Sequence, residues 1–329
     1  MSELRFDPFG REWITISARR LGRPVTDAQA FCPFCPAPAG AGPAAIDGSE
    51  APRGDYEVAV FENRFPSFGG PAAPEGGGPA VPGQRTAPGL GRAEIVLYSP
   101  RHDVHLATIP EQGVRLLVDV WAERTAALAA DPAVDYVFVF ENRGRDVGQT
   151  IDHPHGQIYG YPFVPPRVAR ELAHVREHRR EEGECLQCAV LQGEERAGAR
   201  IVDREAGWVA LVPFAPHFPF EVHLLPRRHV GSLPDLAAQE RAAFARLLRR
   251  TVARYDGLHG HPLPYMMCVF GAPHAIPEGD IWHLRVAFQP VERAAGRLKY
   301  LAGSESGAGA YLQDATPESM AAALRGVAM

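Results

Sequence analysis

No stretch of the 329-residue chain approaches the roughly 20 apolar residues that a membrane-spanning helix needs. The opening residues, Met1-Ser-Glu-Leu-Arg-Phe-Asp-Pro8, carry no signal-peptide core, so a cytoplasmic protein with no membrane partner is expected. A basic surplus is also missing. Lys and Arg number 34 against 39 Asp and Glu, a net charge of −5, which argues against a general nucleic-acid binder. Cysteine is scarce, and four of the five fall into two Cys-x-x-Cys pairs, Cys32/Cys35 and Cys185/Cys188. In a cytosolic chain that spacing favours a metal over a structural disulfide. Cys268 lies inside an apolar run and reads as core. What is present, 46% apolar and 22% charged residues, is the make-up of an ordinary globular protein long enough for two domains.

The most informative stretch runs from Glu141 to Gln157. Before it, Val134 to Phe140 is apolar and rich in β-branched and aromatic residues, which predicts a buried strand. A polar turn with Gly144 and Gly148 follows, suited to a loop that lets a ligand approach the backbone. Then comes His153-Pro-His155-Gly-Gln157, and another apolar run from Ile158 to Val164. Pro154 keeps the chain extended at His153. In an extended segment residues two apart share a face, so His153, His155 and Gln157 are presented together. An imidazole nitrogen can attack phosphorus, and a carboxamide can hold a phosphoryl oxygen. A bare His-x-His reads as a single metal site using both rings, ahead of a pair of core histidines. The longer string and its glycine loop narrow the choice.

Along the chain, strands are expected at Trp13–Ser17, Tyr56–Glu62, Ala93–Tyr98, Trp208–Val212, Phe220–Leu225 and Tyr265–Phe270, with amphipathic helices over 113–130 and 239–255. Residues 36–54 and Gly69–Gly91, rich in Gly and Pro, read as loops. A charged helix from Arg167 to Glu184 connects two halves. The second half echoes the first: the cysteine pair recurs 153 residues on, His102 recurs as His229 after 127, and His153 as His283 after 130. The last two spacings nearly agree, as two copies differing mainly by the Gly69–Gly91 loop would give. The expected fold is therefore α+β, two repeats over 1–170 and 171–329 building an open, mainly antiparallel sheet with helices packed on it. The repeat predicts two Cys2His2 zinc sites, Cys32, Cys35, His102 and His153 in one half and Cys185, Cys188, His229 and His283 in the other. Four protein ligands close a tetrahedron, which makes both sites structural. His105 rivals His102 but has no counterpart in the repeat. His155 is then unligated, and Arg285 holds its place in the second half, where guanidinium cannot serve as a nucleophile.

These motifs resemble the galactose-1-phosphate uridylyltransferase family, the transferase branch of the histidine-triad superfamily, over nearly the whole chain. The resemblance implies exchange of UMP between UDP-glucose and galactose 1-phosphate through a uridylyl-histidine on His155, in a homodimer. It implies substrate contacts at several further positions. Arg20 and Arg23 fit the family's Ser-x-x-Arg-x-x-Arg-Pro arm, which binds phosphate partly across the dimer. Asn63 ends the strand that meets uridine, and Asn142, Gly148 and Thr150 belong to the loop. Lys299, Tyr300, Ser304 and Glu305 fall in the hexose- and phosphate-binding segment. Read without the family, these are a basic arm, a turn asparagine and a surface turn. Some members hold iron through a glutamate that Glu171 would match, but the accompanying histidines are missing and no iron is expected. An ADP-glucose-type nucleotidyltransferase or phosphorylase, a histidine-triad-like hydrolase and a zinc-stabilised binding module are the competing readings.

Overall fold

The computed structural model describes residues 2–17, 32–36, 56–69, 81–274 and 281–328. The chain opens with β1 (Ser2–Asp7) and β2 (Glu12–Ser17), continues through β3 (Ala59–Glu62), β4 (Thr86–Pro88) and β5 (Arg92–Leu97), and reaches helix α1 (Glu111–Ala129). Next come β6 (Tyr136–Arg143), β7 (His155–Tyr161), α2 (Pro166–Glu182) and α3 (Leu186–Ala197). The second half adds β8 (Ile201–Glu205), β9 (Trp208–Leu211), β10 (Val222–Pro226), α4 (Ala238–Leu258), β11 (Tyr265–Phe270) and β12 (Arg285–Pro290), then the short β13 (Glu292–Ala294) and β14 (Arg297–Leu298), and α5 (Pro317–Arg325).

Among the described residues, nine strands form one sheet in the order β3-β5-β7-β6-β11-β12-β10-β9-β8, antiparallel at every pairing. The repeat is visible in that order. β3-β5-β7-β6 is matched by β9-β10-β12-β11, and the copies meet where β6 pairs with β11. Each copy places its long helix, α1 or α4, between its second and third strands in sequence. α1 and α4 pack on one face of the sheet. Val114, Leu117, Val118 and Trp121 from α1, and Phe244, Leu247, Leu248 and Val252 from α4, join Val137, Val139, Ile158, Leu224, Val286 and Phe288 in a single core. The other face is left to smaller clusters, one of them under α2, and to the cavity described below.

Three expectations need adjustment. The Gly69–Gly91 stretch is not loop throughout, because Thr86–Pro88 pairs with β1. The Tyr56–Glu62 strand forms only over Ala59–Glu62. The buried run before the loop extends to Arg143 and alternates between faces: Val137 and Val139 join the helix-side core, while Tyr136 and Phe138 face α2. Arg20 and Arg23 lie outside the described residues.

Candidate functional site

β6 and β7 deliver the central side chains. Their connection turns at Gly144 (φ 98°) and Gly148 (φ 86°), left-handed values that a side chain would strain. Gln149 then ties the loop to itself: its carbonyl oxygen accepts from Gly144 N–H and its amide donates to the Ile151 carbonyl at 2.9 Å. The Gly148 N–H donates to Arg145 O at 3.0 Å. That amide is engaged within the turn, so Gly148 offers the site a Cβ-free surface with open space beside it rather than a free donor.

His155 begins β7, and the strand's alternation sends His155, Gln157 and Tyr159 to the open face. A cavity of about 230 Å3 is lined there by Asn63, Phe65, Phe140, Asn142, Gly148, Gln149, Thr150, His155, Gln157 and Tyr159. A neighbouring cavity of about 380 Å3, which also touches Asn63, is lined by Arg64, Phe68 and Arg92 among others. Six residues singled out in the sequence thus converge on one cavity. Asn63 also accepts from Phe65 N–H at 2.9 Å, so it is a turn asparagine as well as a wall residue. Tyr159 and Phe140 escaped the sequence reading, although the period of two from Gln157 reaches Tyr159. Phe65 and Gln149 carry no comparable signal. Lys299, Tyr300, Ser304 and Glu305 are not among the lining residues. Lys299 is instead ion-paired to Glu305 at 3.3 Å, and Tyr300 is exposed.

His155 is buried save for 8% of its surface. Its Nδ1 lies 2.8 Å from the His153 carbonyl oxygen. A carbonyl only accepts, so Nδ1 carries a proton, and in the neutral ring the lone pair is on Nε2. The Phe34 ring meets the His155 ring edge-on at 5.0 Å. The Tyr159 hydroxyl donates to Gln157 Oε1 at 3.3 Å, which leaves the Gln157 amide N–H groups as donors on the cavity side.

Behind the loop, Cys32, Cys35, His102 and His153 bring four ligand atoms within 4.8 Å of one another, and Cys185, Cys188, His229 and His283 do the same. Each group can hold a metal ion. His105 stands apart, 3.5 Å from Asp256. The groups are prepared alike. His153 Nε2 donates to Ser99 O and His283 Nε2 to Pro226 O, both at 2.8 Å, so each Nδ1 lone pair faces a sulfur. Burial lowers the His153 pKa and takes that of His283 down to about 4, which keeps both rings neutral. Burial first and the adjacent cysteine second push Cys35 up to about 11 and Cys188 to about 12. Thiolates crowded in this way call for a cation.

In the second copy Arg285 begins β12 as His155 begins β7. Its guanidinium stacks on Phe270 and binds Glu171 at 2.8 Å, and Arg167 binds the same carboxylate at 3.0 Å. Burial alone would raise the Glu171 pKa, but the two guanidiniums outweigh it and hold the carboxyl below its ordinary value. Its stabilising contribution is therefore full above the ordinary range near pH 4.3 and is lost as pH falls through the lower folded value. Glu171→Gln should cost about 3 kcal/mol at pH 7, the low end for one partner of a buried pair because the carboxylate is 27% exposed. Urea unfolding at stepped pH should show the gap from the parent protein closing on acidification.

Comparison with known proteins agrees with this geometry. The galactose-1-phosphate uridyl transferase N-terminal domain matches residues 1–165 and the C-terminal domain matches residues 171–329. A galactose-1-phosphate uridylyltransferase of Thermotoga maritima is 37% identical over 99% of this chain and 98% of its own. One from Rattus norvegicus is 31% identical over 98% of this chain and 86% of its own. An ADP-glucose phosphorylase of Arabidopsis thaliana is 27% identical over 99% of this chain and 93% of its own. A solved uridylyltransferase structure superposes with a TM-score of 0.84 at 32% identity, covering 98% of this chain and 97% of that one. Two domain matches that together span nearly every residue, and relatives aligned from end to end, place the chain in the galactose-1-phosphate uridyl transferase family.

Proposed function

We propose that this chain exchanges UMP between UDP-glucose and galactose 1-phosphate through a covalent intermediate on His155. The observation that carries the reading is the His155 ring on the wall of a polar cavity, with Nδ1 held by the His153 carbonyl so that Nε2 is the basic nitrogen of the neutral ring. Nε2 attacks the α-phosphorus of UDP-glucose. An N–P bond forms, and the bond from that phosphorus to the bridging oxygen breaks, releasing glucose 1-phosphate with the electron pair. The imidazolium character that develops is offset at Nδ1–H by the His153 carbonyl. A phosphate oxygen of galactose 1-phosphate then attacks, and the electron pair returns to Nε2. Both the leaving and the entering groups are ionised phosphates, so the exchange demands no general acid; among the described residues lining the cavity none is a carboxylate.

Gln157 is assigned to the transferring phosphoryl group through its amide, with Tyr159 fixing which end points inward. Gln157→Ala should lower kcat by about 10²–10³ with little change in KM, the usual loss for one preorganised donor. Asn142 and Thr150 flank the same group, and the Asn63 end, with Arg64 and Arg92 beyond it, is assigned to the nucleoside. Arg20, Arg23, Lys299, Tyr300, Ser304 and Glu305 are assigned to phosphate and hexose by family resemblance, in part across a homodimer. Residues 1–170 form the catalytic half and 171–329 the degenerate half in this reading, in a cytoplasmic protein.

The metal assigned to both Cys2His2 groups is zinc. Tetrahedral zinc with N and S ligands requires ligand atoms about 3.3–3.8 Å apart. Cys35 Sγ lies 3.5 Å from His102 Nδ1 and 3.6 Å from His153 Nδ1, and Cys188 Sγ lies 3.4 and 3.3 Å from the His229 and His283 nitrogens. With four protein ligands each, the sites supply structure and leave no position for substrate.

The deciding experiment incubates the protein with α-labelled UDP-glucose and no acceptor, beside ADP-glucose. Label bound to protein, labile to acid, stable to alkali and discharged by galactose 1-phosphate is expected from the uridine nucleotide. Label from ADP-glucose alone would move the chain to the activity named for the Arabidopsis relative. Steady release of UMP without acceptor would make it a hydrolase.

A further inference from the structure

The face of the sheet away from the cavity carries a buried polar group directly behind the reacting strand, and nothing in the exchange itself uses it. Tyr98 follows β5, and its N–H donates to Pro154 O at 3.1 Å, inside the His-Pro-His segment. Its side chain is 2% exposed, and its hydroxyl faces the Glu141 carboxyl from β6. The Tyr98 hydroxyl and the Glu141 carboxyl face one another as hydrogen-bonding partners. Tyr265 of β11 approaches Glu141 Oε1 at 3.5 Å, and Arg143, paired to Asp256 at 2.7 Å, closes the group. Burying this hydroxyl and carboxyl costs desolvation that phenylalanine in the same space would avoid.

What the hydroxyl touches gives the reason. A Cβ at Gly156 would lie 2.3 Å from Tyr98 Oη and 3.1 Å from its Cζ, with Phe140 O at 3.0 Å. Gly156 stands between His155 and Gln157, and Glu141 between Phe140 and Asn142, so each neighbour on the chain faces the cavity. The hydroxyl therefore rests against the backbone at the midpoint of the two working side chains. Burial raises the Glu141 pKa to about 8, with the neighbouring Arg143 and the Tyr265 and Tyr98 hydroxyls opposing the rise.

We propose that Tyr98, backed by Glu141, is a positioning residue for nucleotidyl transfer: its hydroxyl is the stop on which Gly156 seats, and this sets the height of β7 at which His155 and Gln157 meet the phosphorus. The proposal rests on the transferase reading above. The parent protein's label transfer from UDP-glucose tests that reading first and separately.

The test compares Tyr98→Phe, Gly156→Ala and the double variant for kcat, KM and bound zinc. Gly156→Ala should lower kcat by about 100-fold, the effect of displacing reacting groups by about 1 Å, with KM within about threefold and zinc unchanged. Tyr98→Phe should lower kcat by about tenfold with KM unchanged, because the strand loses its stop. The double variant should recover about tenfold over Gly156→Ala, because removing the hydroxyl relieves the 2.3 Å clash and leaves only the 3.0 and 3.1 Å contacts with Phe140 O and the ring Cζ, which a small shift absorbs. A double variant no better than Gly156→Ala, or a Gly156→Ala enzyme with parental kcat, overturns the proposal. If Gly156→Ala does not fold, recovery of soluble protein in the double variant supports it. If neither folds, Tyr98→Phe decides: a parental kcat overturns the proposal and a tenfold fall at constant KM supports it.

Discussion

His155→Ala should abolish transfer, with kcat falling by about 10⁴–10⁶, the range for removing a nucleophile from an otherwise intact site. No label from UDP-glucose should remain on the protein. The geometry explains the size of the effect. Among the described residues lining the cavity, His155 alone offers an imidazole nitrogen, and its tautomer is fixed by the His153 backbone carbonyl. Gln157 and Tyr159 donate hydrogen bonds but cannot form the phosphorus–nitrogen bond. The substitution should spare substrate binding, since Asn63, Asn142 and Thr150 are untouched, and ligand-induced thermal shifts should match the parent's. His155→Gly with added imidazole offers a second reading of the same atom. The small base should enter the space left by the ring and restore part of the transfer, with no label on the protein. Full activity in His155→Ala, or label persisting on it, would move the nucleophile elsewhere and remove the proposed role of the His153 carbonyl.

The sequence made the site more legible than the fold around it. His153, Pro154, His155 and Gln157 could be placed because a strand's period of two is strict and a proline excludes helix at the residue before it. The ligand sets were legible because the chain repeats itself, and a repeat turns each histidine in one half into a test of one in the other. The elements that escaped carry weaker local signals. α3 begins at the second cysteine pair, whereas the residues described at the first pair, 32–36, form a tight turn. β4 is three residues in a Pro/Gly-rich stretch and exists because β1 offers it an edge. β12 reads as a strand only once its register against β11 is known. Tyr98 was hidden for another reason: its importance lies in a contact with a glycine 58 positions away, and no local pattern marks a residue for what it touches across a sheet.

Cys35→Ser is expected to remove one of two zinc equivalents and to lower transfer by about 100-fold or more, even though no metal ligand lines the cavity. The link runs through His153. Its ring is 0% exposed and pinned at both nitrogens, Nε2 on the Ser99 carbonyl and Nδ1 facing Cys35 Sγ, while its own carbonyl fixes the His155 tautomer. Serine is a poor zinc ligand, and with it the His153 ring loses one of its two anchors. Partners that orient a metal ligand typically matter 10–100-fold, and here the ligand itself orients the nucleophile. Cys188→Ser provides the control. It breaks the matching site, where His283 leads to Arg285 instead of a nucleophile, so zinc should fall by one equivalent while transfer falls far less at temperatures where the protein stays folded. Zinc content and single-turnover label transfer on both variants distinguish the sites. Equal losses of activity would show that the metals act only through global stability, and two zinc equivalents retained in Cys35→Ser would show that the metal sits on other ligands.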